Sequence, residues 1–202
     1  YPSPVLSDLH YKINKLLLHL YESGDILGCQ VCVYKDDSKI VDTCAGVYGR
    51  SDPRPITPDT LINAFSVTKS MIVLALHILA DRIETTQSNH RRLNYSQSVS
   101  TYWPEFGCNG KETITVSQAL SHCAGLAQTI TAKTPLHELT NWQMMIDTIA
   151  NAIPQYPLIP TYHYLSYGFL VGGLLQSWSG LSVQQVLSSY LAGPLEMKNE
   201  MY

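Results

Sequence analysis

From Met71 to Ala80 the chain reads MIVLALHILA, apolar at every position except His77. Spanning a bilayer takes about 20 apolar residues, so a run this short has to be packed inside protein. The rest of the chain must therefore supply enough apolar surface to cover it. The preceding residues, NAFSVTKS, put Lys69 one turn into the helix that this run predicts. A lysine there lies near the positive end of the helix dipole with little solvated face, and both effects oppose its charge. Either Lys69 has a partner or its amine is meant to be neutral.

Upstream, Leu6, Leu9, Ile13, Leu16, Leu17 and Leu20 recur at helical spacing behind Ser3-Pro4, with Gly24 as the stop. Ile26 to Tyr34 and Lys39 to Ala45 read as two strands of a hairpin joined at KDDS. Pro53, Pro55 and Pro58 predict a loop before the apolar helix. Asp81 to Ser100 is polar and predicts an irregular surface excursion, with the one adjacent basic pair, Arg91-Arg92, inside it. TITVSQALSHCAGL predicts a short extended piece running into a helix that stops near Gly125. NWQMMIDTIANAI predicts a further helix, broken by Pro154, Pro157 and Pro160. YLSYGFLVGGLLQSWSG and SVQQVLSSYLAGPL predict two more, the glycines of the first permitting close packing. One hairpin is few strands for so many helices, and a two-stranded sheet is marginal alone. The expectation is an α/β (α+β) architecture with an incomplete antiparallel sheet and a helical lobe.

With 202 residues, 45% of them hydrophobic, the chain can bury a core as one domain. A net charge of −3 and a pI near 6.1 argue against a nucleic-acid partner or an anionic membrane surface. The opening YPSPVLSDLH has neither an initiator methionine nor a signal-peptide pattern, which reads as a region excised from something larger. Five cysteines, an odd number, point to a reduced intracellular compartment. Cys29 and Cys32 form a C-x-x-C, but on a strand positions three apart face opposite ways, so they read as small buried hydrophobes.

Ser66 and Lys69 stand three apart and share one face if the helix starts near Ser66. A neutral lysine amine can take a serine proton, and a helix N-terminus offers backbone N–H groups to a developing oxyanion. On its own the pair also fits a capping serine beside a lysine whose stem is buried.

FSVTKS opening an apolar helix, ALSHCAGL further on, and YHYLSYGFLVGGLL together resemble the serine β-lactamase-related family. That group holds class C β-lactamases, D-alanyl-D-alanine carboxypeptidases and related esterases. The resemblance implies a β-lactamase/transpeptidase-like fold, with Ser66 as nucleophile, Lys69 as base and Tyr162 relaying protons. Tyr162 is placed by register on Tyr167-Gly168. It also implies that His163 and Tyr164, in the slots after Tyr162, face the substrate, and that His122 and Gly125 serve a turn. The substrate implied is a small acyl ester or amide, with no metal or organic cofactor. Tyr164 occupies the asparagine slot of the Y-x-N motif and cannot donate an amide, which makes the chain look more esterase-like than lactamase-like.

The family's K-T-G or H-T-G strand does not follow Tyr162, and KTP at Lys133 to Pro135 is misplaced. Residues 1–202 thus look like the N-terminal part of a single β-lactamase-related domain. Without the oxyanion donor of that strand the rate is expected to fall on the order of 100- to 1000-fold. YPSPVLSDLH, SDPRPITPDTL and YHYLSYGFLVGGLL look most like the β-lactamase-related region of plant proteins that also carry an aarF-type atypical kinase domain. The rival expectation is a degenerate domain kept for binding or regulation. The joint presence of Ser66, Lys69 and Tyr162 speaks against it.

Overall fold

The computed structural model describes residues 8–85 and 92–197. Ser3, Pro4, Leu6, Arg91 and the tail from Lys198 lie outside them. The chain divides into two compact units, residues 1–63 and 64–202.

In the first unit, α1 (Asp8–Glu22) packs on a sheet of three antiparallel strands, β1 (Gly28–Lys35), β2 (Ser38–Gly49) and β3 (Asp52–Pro55), in that spatial order. Leu17 of α1 is buried, as are Val41 and Ala45 of β2, and the Asn14 amide donates to Thr43 Oγ1 at 2.7 Å. The KDDS turn forms as expected. Asp36 and Asp37 both take positive φ, 49° and 60°, the handedness that lets a two-residue loop follow the twist of its strands. The proline-rich stretch corrects the sequence reading, because Asp52–Pro55 is a strand and not a loop. It lies at the edge of this sheet, where the missing proline N–H groups break no ladder. Cys32 is exposed and Cys29 half-buried, so neither is the buried hydrophobe that was expected; all five thiols are free.

The second unit is helical. A tight 3-10 turn, Phe65–Val67, leads into α2 (Thr68–Thr85). This helix buries one stripe, Ile72, Ala75, Leu76, Leu79 and Ala80, at the i, i+3, i+4, i+7 spacing of an amphipathic helix. Leu74 and His77 face outward, so the run is not enclosed on all sides. It also continues past Asp81, where irregular chain was expected, and Asp81 and Arg82 are exposed on it. After it come α3 (Val116–Leu120), α4 (Leu136–Leu139), α5 (Trp142–Asn151), α6 (Ser166–Ser179) and α7 (Val183–Val186), the last passing into a π-helical turn, Leu187–Ala192. The buried faces of α2, α5 and α6 meet in one core with Trp103, Phe106, Ile114 and Leu126. Each fully buried leucine or isoleucine there contributes roughly 1.5–3 kcal/mol.

Close approach is why α6 carries Gly172 and Gly173. A Cβ on the first would lie 2.4 Å from the Trp142 ring, and on the second 2.5 Å from that of Trp103. The helix expected to stop near Gly125 stops at Leu120, because His122 is already left-handed at φ 62°. The C-terminus of α5 is closed by the loop before α3. Cys108 Sγ donates to Ala150 O at 3.2 Å, the Asn109 amide to Asn151 O at 2.8 Å, and Lys111 Nζ to Ala152 O at 2.5 Å. Carbonyls left open by the end of the helix are thereby satisfied, one of them by a cation at the negative end of the dipole.

Candidate active site

Ser66, Lys69, Ser70, Val73, Leu74 and His77, all from one side of the 3-10 turn and α2, line a groove of about 480 Å³ opposite His122, Tyr162 and Tyr167. Lys69 Nζ lies 3.2 Å from Ser66 Oγ, a hydrogen bond that the ammonium donates and that a neutral amine would accept. The same nitrogen sits over two phenol rings, 5.1 Å from the centroid of Tyr162 and 5.8 Å from that of Tyr164. Among the described residues no carboxylate pairs with Lys69. Its side chain is half-buried, less enclosed than the sequence suggested. Hydrogen bonding to Ser66 and then to Lys69 draws the Tyr162 phenol below its ordinary range, with the positive charge of Lys69 adding to the effect.

The structure thus brings Ser66, Lys69 and Tyr162 together. Tyr164 stands beside them, 62% exposed, with its ring 6.4 Å from that of Tyr162. His163 does not join them, which corrects the expectation that it faces a substrate. It is fully buried, its Nε2 accepting from Leu126 N–H at 3.0 Å and its Nδ1 donating to Thr161 O at 2.6 Å. Alternation along an extended segment explains this, since Tyr162 and Tyr164 point one way and His163 the other.

His122, Ser70 and His77 are groove residues that sequence reasoning passed over. Ser70 and His77 follow Ser66 at i+4 and i+11 on the same helical face, a signal already present in the spacing. His122 does serve a turn, as its φ shows, yet its ring also faces the groove. Next to it, Gly125 at φ 67° leaves no room for a Cβ, which would come within 2.6 Å of Gln155 O.

Burial lowers the pKa of both histidines, with His163 and Lys69 adding to the effect at His122. Below the ordinary value of 6.5 the unfolded chain therefore binds protons that the folded chain refuses, so stability falls as pH drops from there toward the lowered folded values. Protonating His163 would also set its Nε2–H against Leu126 N–H. Urea unfolding is expected to show stability declining on the acid side of that value and a shallower decline in His163→Gln. Identical slopes would mean that His163 does not titrate in this range.

A model of the family described as Beta-lactamase matches residues 13–200. The chain is 33% identical over 170 residues to the Esterase/beta-lactamase LipL of Mycobacterium tuberculosis, a match covering 84% of this chain and 37% of that protein. Among solved structures it superposes on a penicillin-binding protein homolog from Caulobacter crescentus with a TM-score of 0.81 and 28% identity, over 96% of this chain and 50% of that one. A family VIII carboxylesterase gives a TM-score of 0.81 at 25% identity, over 95% and 51%. The chain spans well under half the length of its curated relative and about half that of these solved structures.

Proposed function

The chain belongs to the Beta-lactamase family, and from that membership we propose that it carries the nucleophile of a serine acyl-transfer hydrolase acting on small acyl esters. The observation that carries this reading is the meeting of three groups: an amine 3.2 Å from a serine oxygen, and on the same groove a phenol whose ring centroid lies 5.1 Å from that amine. Ser66 Oγ attacks the ester carbonyl carbon while Lys69, as the neutral amine, takes its proton. The oxyanion that forms accepts from the Ser66 backbone N–H and from a second donor supplied by chain outside residues 1–202. The carbonyl reforms, the carbon–oxygen bond to the leaving alkoxide breaks, and Tyr162 protonates that alkoxide and recovers a proton from Lys69. Water then attacks the acyl carbon, its proton travels to Ser66 Oγ by the same groups, and the acid leaves.

Preference for esters over β-lactams is supported by Tyr164 in the asparagine slot, where a phenol cannot present the amide N–H. The likeness to a family VIII carboxylesterase points the same way. The wider proposal is that these residues are the N-terminal part of a β-lactamase-related domain in a longer, intracellular plant protein that also carries an aarF-type kinase domain. The free thiols are compatible with such a compartment. Among the described residues no helix is long and apolar enough to cross a membrane.

The test is covalent. A fluorophosphonate probe, followed by intact mass and peptide mapping, is expected to place one label on the peptide containing Ser66, slowly in residues 1–202 and faster in a polypeptide continuing past Tyr202. Absence of label from both, or a label on another residue, would sink the hydrolase reading and leave a binding domain in its place.

A further inference from the structure

Tyr162 is the member of the trio that needs holding. It sits on a loop, its side chain is 52% exposed, and its ring meets the aromatic rings of only Tyr164 and His122 among the described residues. Tyr164 is itself 62% exposed. His122 is different. Its carbonyl accepts from Thr161 N–H at 3.0 Å, its Nδ1 accepts from His163 N–H at 3.1 Å, and its ring lies 4.9 Å from that of Tyr162. The residues on either side of Tyr162 are therefore tied to the backbone and the side chain of this one histidine, and the phenol ring rests on its imidazole. Behind it, the Tyr167 ring packs at 4.3 Å, and the Tyr167 hydroxyl donates to Leu120 O at 2.8 Å.

We propose that His122 is the positioning residue for Tyr162, the template on which the 161–163 segment is laid so that its phenol meets Ser66 and Lys69. Accepting at Nδ1 requires a neutral ring with its proton on Nε2. Among the described residues the groups facing that ring are His163, Lys69, Tyr162 and Tyr167, none of them a carboxylate that would favour the imidazolium. The left-handed backbone at φ 62° is part of the device, because it turns the chain sharply enough for the carbonyl and Nδ1 of one residue to reach Thr161 and His163 together.

Calling Tyr162 catalytic rests on the hydrolase reading above, so the experiment is read without substrate. Ultraviolet titration of the tyrosines, with the curve of the matching Tyr162→Phe chain subtracted in each background, isolates one phenol among thirteen. In the parent chain that phenol is expected to titrate below 10.0. In His122→Phe, which keeps a ring but has no acceptor, it should rise to the ordinary value. In His122→Asn, which tolerates left-handed φ and offers an oxygen near the place of Nδ1, it should stay low. A defect that only loosens the fold would lower the melting temperature of both variants and leave no such split. The proposal is overturned if His122→Phe leaves the phenol titration where it was, or if both variants move it equally. Should His122→Phe fail to fold, two-bond proton–nitrogen spectra of the parent chain decide. An unprotonated Nδ1 on His122 at neutral pH is required, and an Nδ1–H tautomer overturns the proposal. A chain that shows the split but takes no fluorophosphonate would lose the hydrolase reading and keep the positioning role.

Discussion

Replacing Lys69 by methionine is expected to slow fluorophosphonate labelling of Ser66 by about 10²- to 10⁴-fold, the range a positioned general base contributes. Methionine keeps the unbranched stem and a near-equal helix propensity. It removes the amine that lies 3.2 Å from Ser66 Oγ, and Lys69 is half-buried and joins no ion pair among the described residues. The melting temperature should therefore hold while the labelling rate collapses, with Ser66→Ala marking the floor. A second substitution separates two roles of the same nitrogen. Lys69→Arg retains a cation over the Tyr162 ring but cannot give up a proton in this pH range. Equal losses in both variants identify a missing base. Recovery with arginine would mean that Lys69 acts by its charge, and labelling within about threefold of the parent in Lys69→Met would hand the proton to Tyr162 instead.

That these groups share a site was legible because the pattern is local. Ser66 and Lys69 are three apart on one helical face, and periodicity alone predicts their contact. Tyr162 was legible only through the family resemblance, since no spacing argument links a loop tyrosine to a helix so far along the chain. His163 and His122 were exchanged for a physical reason. Adjacent residues on an extended segment point to opposite sides, so neighbouring Tyr162 in sequence sends His163 into the core. His122, by contrast, is brought to the groove by a left-handed turn that its own residue type does not announce. The fold shows the same division. The hairpin at Asp36 and Asp37 and the close packing at Gly172 and Gly173 follow from residue chemistry. The β3 strand through Pro53 and Pro55 exists only because β2 offers it an edge, a tertiary fact that local propensity opposes. The length of α2 was understated because Asp81 and Arg82 were read as loop when they are exposed residues of the helix.

Lys111 is a buried cation that the sequence did not flag, and Lys111→Met is expected to destabilise the chain by about 1–3 kcal/mol. The lysine side chain has no exposure, and its amine donates to Cys108 O at 2.9 Å and to Ala152 O at 2.5 Å. Methionine fills the same channel but strands Ala152 O, while Cys108 O keeps the backbone N–H of residue 111 at 3.1 Å, and an unsatisfied buried polar group costs roughly 1–3 kcal/mol. Relief from burying a charge offsets part of that. The balance can be read from pH. Burial lowers the Lys111 pKa from 10.5, so above the lowered value the unfolded chain holds a proton that the folded chain has released. Stability attributable to Lys111 therefore rises with pH across that window. A neutral amine still has two N–H donors, enough for both carbonyls, so both hydrogen bonds persist in the exchange. Urea midpoints of the parent and of Lys111→Met, compared from neutral pH upward, should show a gap that widens as pH rises. The pKa of Tyr167, raised by its burial, acts in the opposite direction but is common to both chains and cancels in the difference. A gap under about 1 kcal/mol at neutral pH would mean that water replaces the amine at the end of α5. A gap that narrows with pH would show that the protonated form is the one holding those carbonyls.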